Sequence, residues 1–109
     1  MTIKISKQHN NSFLEYYSGS AEEVCNHEKD VIRTEKECTA ALKQLGYQFK
    51  GEYWKKSARN IPSGCSIRTL NNKPYMNSNS GLGRGRRDQI PICKGNVNQG
   101  NHIDFFVGF

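Results

Sequence analysis

Four cysteines, Cys25, Cys38, Cys65 and Cys93, are spread through a polar chain of 109 residues. An even number of widely separated cysteines in so small a chain most economically forms two structural disulfides, and disulfides that persist imply an oxidising compartment. Intervals of twelve, twenty-six and twenty-seven residues separate them, without the close pairs of a zinc knuckle, so no metal site and no cofactor is expected. Cross-links matter because only 35% of the residues are hydrophobic and the mean hydropathy is -0.79, which leaves a single domain with a thin core. In the chain-entropy model each bond contributes about 2–4 kcal/mol, a large share of the roughly 5–15 kcal/mol by which a domain is ordinarily stable.

Sixteen Lys and Arg against ten Asp and Glu give a net charge of +6 and a pI near 9.3. Such a balance attracts acidic partners at long range, whether sulfated glycans, anionic lipid surfaces, nucleic acid or acidic proteins. Residues 1–6 lack the apolar core of a secretory signal, and no apolar run in the chain approaches the ~20 residues of a transmembrane helix. An extracellular location therefore implies a mature form, an excised domain or a replaced leader. A natural start at Met1 implies instead a cytosolic protein with reduced thiols.

The organisation is that of one domain over residues 1–109. Residues 1–20 are mostly polar, with Phe13, Leu14, Tyr16 and Tyr17 as their apolar cluster, and read as a flexible arm or an edge strand in which residues 1–6 alternate. Residues 21–95 form the cysteine-framed core. Residues 96–109 read as an apolar C-terminal strand, whose Phe105, Phe106, Val107 and Phe109 require burial against this domain or a neighbour. Within the core, Thr34 is a candidate N-cap with Glu37 at the capping-box position. Cys38, Ala41, Leu42 and Leu45 then fall on one helical face and Gly46 ends it, so a helix is expected over 35–45. Strand-like pieces follow at 47–50, 66–70, 74–77 and 90–93, with Asn71-Asn72-Lys73 as a hairpin turn and 77–87 as a long exposed basic loop.

In order, Cys25, Ile32-Arg33-Thr34, Cys38-Thr39-Ala40-Ala41, Leu45-Gly46-Tyr47, Pro62-Ser63-Gly64-Cys65, Tyr75-Met76-Asn77 and Ile92-Cys93-Lys94 resemble a small extracellular four-cysteine domain. That domain recurs in secreted and surface proteins of algae, protists and some invertebrates. The layout is also similar to the PAN/apple group, in which a helix packs on a curved antiparallel sheet and is tied to it by a disulfide. The resemblance implies an α+β fold with one main helix on a small antiparallel sheet stapled by two disulfides, Cys38 to Cys65 and Cys25 to Cys93. It also implies recognition of glycans or proteins outside the cell, and it carries no catalytic residues.

The residues that can do such work are basic. Arg84, Arg86 and Arg87 on the Gly83-Arg84-Gly85-Arg86-Arg87 loop offer three guanidinium forks for sulfate, phosphate or carboxylate, and the glycines would let the loop mould itself to a ligand. Arg-x-Arg-Arg also resembles a proprotein-convertase site. A second group, Lys55, Lys56 and Arg59 with Lys50, is interleaved with Tyr53 and Trp54, a combination suited to stacking on sugars or bases. No RNA-recognition or KH signature accompanies it, which places nucleic acid behind acidic glycans and acidic protein surfaces as a partner. His9, His27 and His102, with Glu28, Glu35 or Glu37, supply general acid–base types for a small secreted ribonuclease-like hydrolase, without a supporting motif. Asn10-Asn11-Ser12 is a glycosylation sequon in a secreted chain. The expected function is non-catalytic extracellular recognition of an acidic partner. The alternatives are the hydrolase and a structural subunit of an extracellular assembly that binds neighbouring subunits.

Overall fold

The computed structural model describes residues 14–96. The sequon, His9, His102, the alternating start and the apolar tail lie outside them. Five strands and one helix follow in the order β1 (Leu14–Ser18), α1 (Glu35–Gln44), β2 (Trp54–Lys56), β3 (Gly64–Arg68), β4 (Lys73–Asn77) and β5 (Gln89–Asn96). The strands make one sheet in the order β1-β5-β3-β4-β2. The fold is α+β, with α1 packed on a mostly antiparallel sheet and two disulfides.

Two expectations about the sheet need correction. It is mixed, because β2 runs parallel to β4 with Trp54 opposite Tyr75. No hairpin turn joins β2 to its neighbour; the connection over 57–63 instead carries the chain past one strand position to β3, which runs opposite to β2, and the turn after β3 brings β4 back between them, antiparallel to β3 and so parallel to β2. The alternating residues 47–50 also form no strand. Their half-buried aromatic rings pack on the core from a coil segment, so the alternation records burial without a ladder partner.

The helix begins where the sequence places it. Thr34 Oγ1 accepts the Glu37 N–H at 3.2 Å, and Gly46 at φ +85° follows the last turn. The reciprocal half of the capping box does not form, since the Glu37 carboxylate accepts the Tyr16 hydroxyl at 3.2 Å and lies 3.7 Å from Lys94 Nζ. Cys38, Ala41 and Leu42 are fully buried against Ile32, Cys65, Ile67 and Ile92. Strand alternation divides the sheet into two faces. Tyr16, Lys94, Ile92, Ile67, Cys65 and Met76 face α1, whereas Tyr17, Cys93, Ser66, Tyr75 and Asn77 face away. On that second face Cys25, Val31 and Cys93 form a smaller cluster flanked by Tyr17 and Leu82.

The disulfides join Cys38 to Cys65, from helix to β3, and Cys25 to Cys93, from the N-terminal segment to β5, with Cα–Cα distances of 5.5 and 5.7 Å. The glycine before Cys65 has a steric cause. Gly64 sits at φ +74°, and a Cβ there would meet the Ile32 carbonyl and the Val31 side chain. A left-handed alanine costs about 1–3 kcal/mol and the collision adds to it. Gly64→Ala is therefore expected to lower stability by at least ~2 kcal/mol, read as a shift of the urea midpoint under non-reducing conditions.

Tyr17 supplies a pH-dependent contribution. Its hydroxyl donates to Asp30 Oδ2 at 2.6 Å and accepts the Asn26 N–H at 3.1 Å. Burial first, then the bond to Asp30, push the phenol from 10.0 up to about 12, against a smaller lowering by Asn26. A pKa raised on folding stabilises fully below the unfolded value and is lost as pH climbs through the folded value. The urea-midpoint advantage of the native protein over Tyr17→Phe should thus be constant below pH 10 and shrink towards 12. A gap of equal size at pH 8 and at roughly pH 11 would contradict this linkage.

Candidate anion-binding site

Asn77, at the end of β4, is 1% exposed and holds two loops together. Its Nδ2 donates to the carbonyls of Ala58 at 2.8 Å and Pro62 at 2.9 Å, and its Oδ1 accepts the N–H of Ala58 at 2.8 Å and of Asn79 at 3.3 Å. The loops then lace across one another. Ser63 N–H donates to the Leu82 carbonyl and Arg84 N–H to the Ile61 carbonyl, both at 3.1 Å. Arg33 closes the far side, its guanidinium donating to the carbonyls of Asn79 at 2.8 Å and Gly81 at 3.1 Å.

The glycines of the basic loop are accordingly packed rather than compliant, which corrects the expectation of a mouldable loop. A Cβ on Gly83 would strike the backbone of Ile61 and Ser63, and one on Gly85 the Glu22 carbonyl. The segment 77–87 carries exposed side chains on a backbone fixed at both edges.

This backbone separates the three loop arginines. Arg86 Nε lies 2.8 Å from Asp88 Oδ1 in an ion pair without hydrogen-bond alignment, and Arg68 takes the other oxygen at 3.3 Å. Arg87 is exposed and stands 3.8 Å from Glu22, a weak contact in water. Arg84 and Arg59 instead line one depression of about 500 Å³ with Asn60, Asn79 and Gly83. Lys55 pairs with Glu35 at 3.3 Å. A neighbouring cleft is lined by Lys55, Lys56, Arg33, Glu35, Met76, Asn77 and Ser78, and Arg33 links it to the Arg59–Arg84 depression through Asn79.

The two aromatics diverge. Trp54 stacks on Tyr75 at 4.6 Å on the sheet face away from α1. Tyr53 meets Phe49 edge to face at 6.4 Å, and its hydroxyl bonds Thr39 Oγ1 at 2.6 Å. They do not form one platform with the lysines. Of the residues offered for acid–base chemistry, His27 and Glu28 are exposed, Glu35 is paired with Lys55 and Glu37 with Tyr16 and Lys94. Among the described residues these groups do not converge. Arg33, Asn60, Asn79 and the organising Asn77 were not among the residues expected from sequence to bind; the signal for two of them was that Arg33 and Asn77 fall inside the short strings Ile32-Arg33-Thr34 and Tyr75-Met76-Asn77 that carry the resemblance.

The convertase-like string is folded into a turn, with Gln89 N–H donating to the Arg86 carbonyl at 3.1 Å and Glu22 N–H to the same oxygen at 3.0 Å. A protease cleft takes its substrate extended, so the native domain should survive a furin-type convertase that cuts the reduced, alkylated chain after Arg87. Electrophoresis under reducing conditions checks it, because a nick would leave the pieces joined through Cys25–Cys93 otherwise. Equal rates in both forms would mean that the turn opens freely.

No family model, curated protein or solved structure matches this chain.

Proposed function

We propose that the domain is a non-catalytic recognition module that works outside the cell and binds a sulfate or carboxylate group of an acidic glycan through Arg59 and Arg84. The observation that carries this is their convergence. Two exposed arginines line one depression whose other lining residues are Asn60, Asn79 and Gly83, with no carboxylate among them. Arg86, Arg87 and Lys55 each have an acidic neighbour within 4 Å, Asp88, Glu22 and Glu35 respectively. Planar guanidinium forks suit oxyanions with two or more oxygens. The backbone beneath them is pinned by Asn77 and Arg33, so little ordering is needed on binding. The adjoining Lys56 and Arg33 extend the positive surface for further anionic groups on the same chain. Two disulfides fit an oxidising, extracellular setting, and no helix among the described residues is long and apolar enough to cross a membrane. The resemblance to small extracellular four-cysteine and PAN/apple-like domains agrees with a binding role.

Two double variants separate a site from a general field. Arg59→Ala/Arg84→Ala and Lys36→Ala/Arg87→Ala each remove two of the six net charges, leaving +4. The first is expected to weaken binding to a sulfated-glycan column at least about tenfold and to elute at much lower salt, since charge-assisted hydrogen bonds are lost. The second should behave nearly as the native protein. Equal losses would leave the basic surface without a local site.

A further inference from the structure

A groove between the outward side of α1 and the segment that follows it has no part in anion binding. One wall is Glu35, Thr39 and Lys43, whose four-residue spacing aligns them along the helix; the other is Tyr47, Gln48, Phe49, Gly51 and Tyr53. The second wall is held without a sheet partner. Tyr47 N–H donates to the Leu42 carbonyl at 2.9 Å, Asn72 Nδ2 to the Gln48 carbonyl at 3.1 Å and Lys73 Nζ to the Glu52 carbonyl at 3.4 Å. Tyr47, Phe49 and Tyr53 rest partly on the core and are half-buried, which leaves ring surface turned to the groove.

We propose that this groove binds an uncharged hexopyranose ring of an oligosaccharide, at a site separate from Arg59 and Arg84. A pyranose has an apolar C–H face and a girdle of hydroxyls that each donate and accept. The groove opposes these with an aromatic floor and a rim holding the Glu35 carboxylate, the Lys43 ammonium, the Gln48 amide and the Thr39–Tyr53 hydroxyl pair. Its charges favour a neutral occupant. The residues that line it carry one carboxylate, Glu35, and one ammonium, Lys43, which balance. Burial and the nearby Glu35 charge raise the Tyr53 phenol pKa, against a lowering by the Thr39 bond, so it remains an O–H donor at neutral pH. A proline-rich peptide fits less well, because Phe49 and Tyr53 meet at 69° and offer one ring face rather than two facing walls, while Trp54 is stacked elsewhere on Tyr75.

The test is titration of the intact domain with cellohexaose, laminarihexaose and mannohexaose, watching aromatic NMR resonances. Shifts confined to Phe49, Tyr53 and Tyr47 with at least one hexasaccharide are expected, weakened at least about threefold by Gln48→Ala and by Tyr53→Phe, which keep the ring packing and remove polar partners. Arg59→Ala/Arg84→Ala should leave the sugar response unchanged whether or not sulfated glycans bind, so the two sites can fail separately. No ring shift with any of the three at about 10 mM, a response untouched by both groove variants, or a response to a polyproline peptide alone would overturn the proposal.

Discussion

A helix of ten residues is too short to persist in water without tertiary support, and the bond from Cys38 to Cys65 fixes it to the middle of the sheet. The buried stripe of Cys38, Ala41 and Leu42 meets Ile67 and Ile92 around that bond. Loop closures of 27 and 68 residues put each disulfide at about 3–5 kcal/mol in the chain-entropy model, comparable to everything a thin core can supply. The helix in turn supplies one wall of the aromatic groove, and its N-terminal Glu35 meets Lys55 on β2. Without the covalent tie neither the groove nor the neighbouring basic cleft would have a fixed wall.

A single carboxamide does for the loops what the disulfide does for the helix. Asn77 satisfies backbone groups of residues 58, 62 and 79 from inside the protein, and a buried polar group with all its partners fixes one arrangement because every alternative strands a donor or acceptor. The guanidinium groups above are thereby separated by the backbone rather than by their own flexibility. That separation divides three sequence-adjacent arginines between Arg59, Asp88 and Glu22.

The frame was legible in the sequence because local chemistry determines it: Thr34 and Gly46 bracket the helix, its stripe has helical spacing, and the segments at 66–70 and 74–77 flank a turn. The strand expected at 47–50 failed because alternation reports burial on one side and says nothing about a ladder partner. The parallel strand was invisible, since Trp54-Lys55-Lys56 carries no signal of which edge it joins. At the site, sequence proximity was the wrong metric. Arg84, Arg86 and Arg87 were grouped because they are neighbours in the chain, but Arg84 keeps company with Arg59, twenty-five positions earlier. Nothing local in Asn77 or Gly85 announces that the basic loop is rigid; that follows only from contacts with Ala58, Pro62 and Glu22.

Leu14 on β1 lies opposite Asn96 on β5, so the chain enters and leaves the sheet side by side, at the edge farthest from β2 and its basic neighbours. Tension applied at these two points would unzip β1 from β5 one pair at a time. It would then reach the bond between Cys25 and Cys93, through which the load passes directly from one side of the chain to the other. Residues 26–92, with the helix, the laced loops and both grooves, stand outside that path. Pulled from both ends, the domain would hang from a covalent clasp, with the helix and the groove beside it off the line of load.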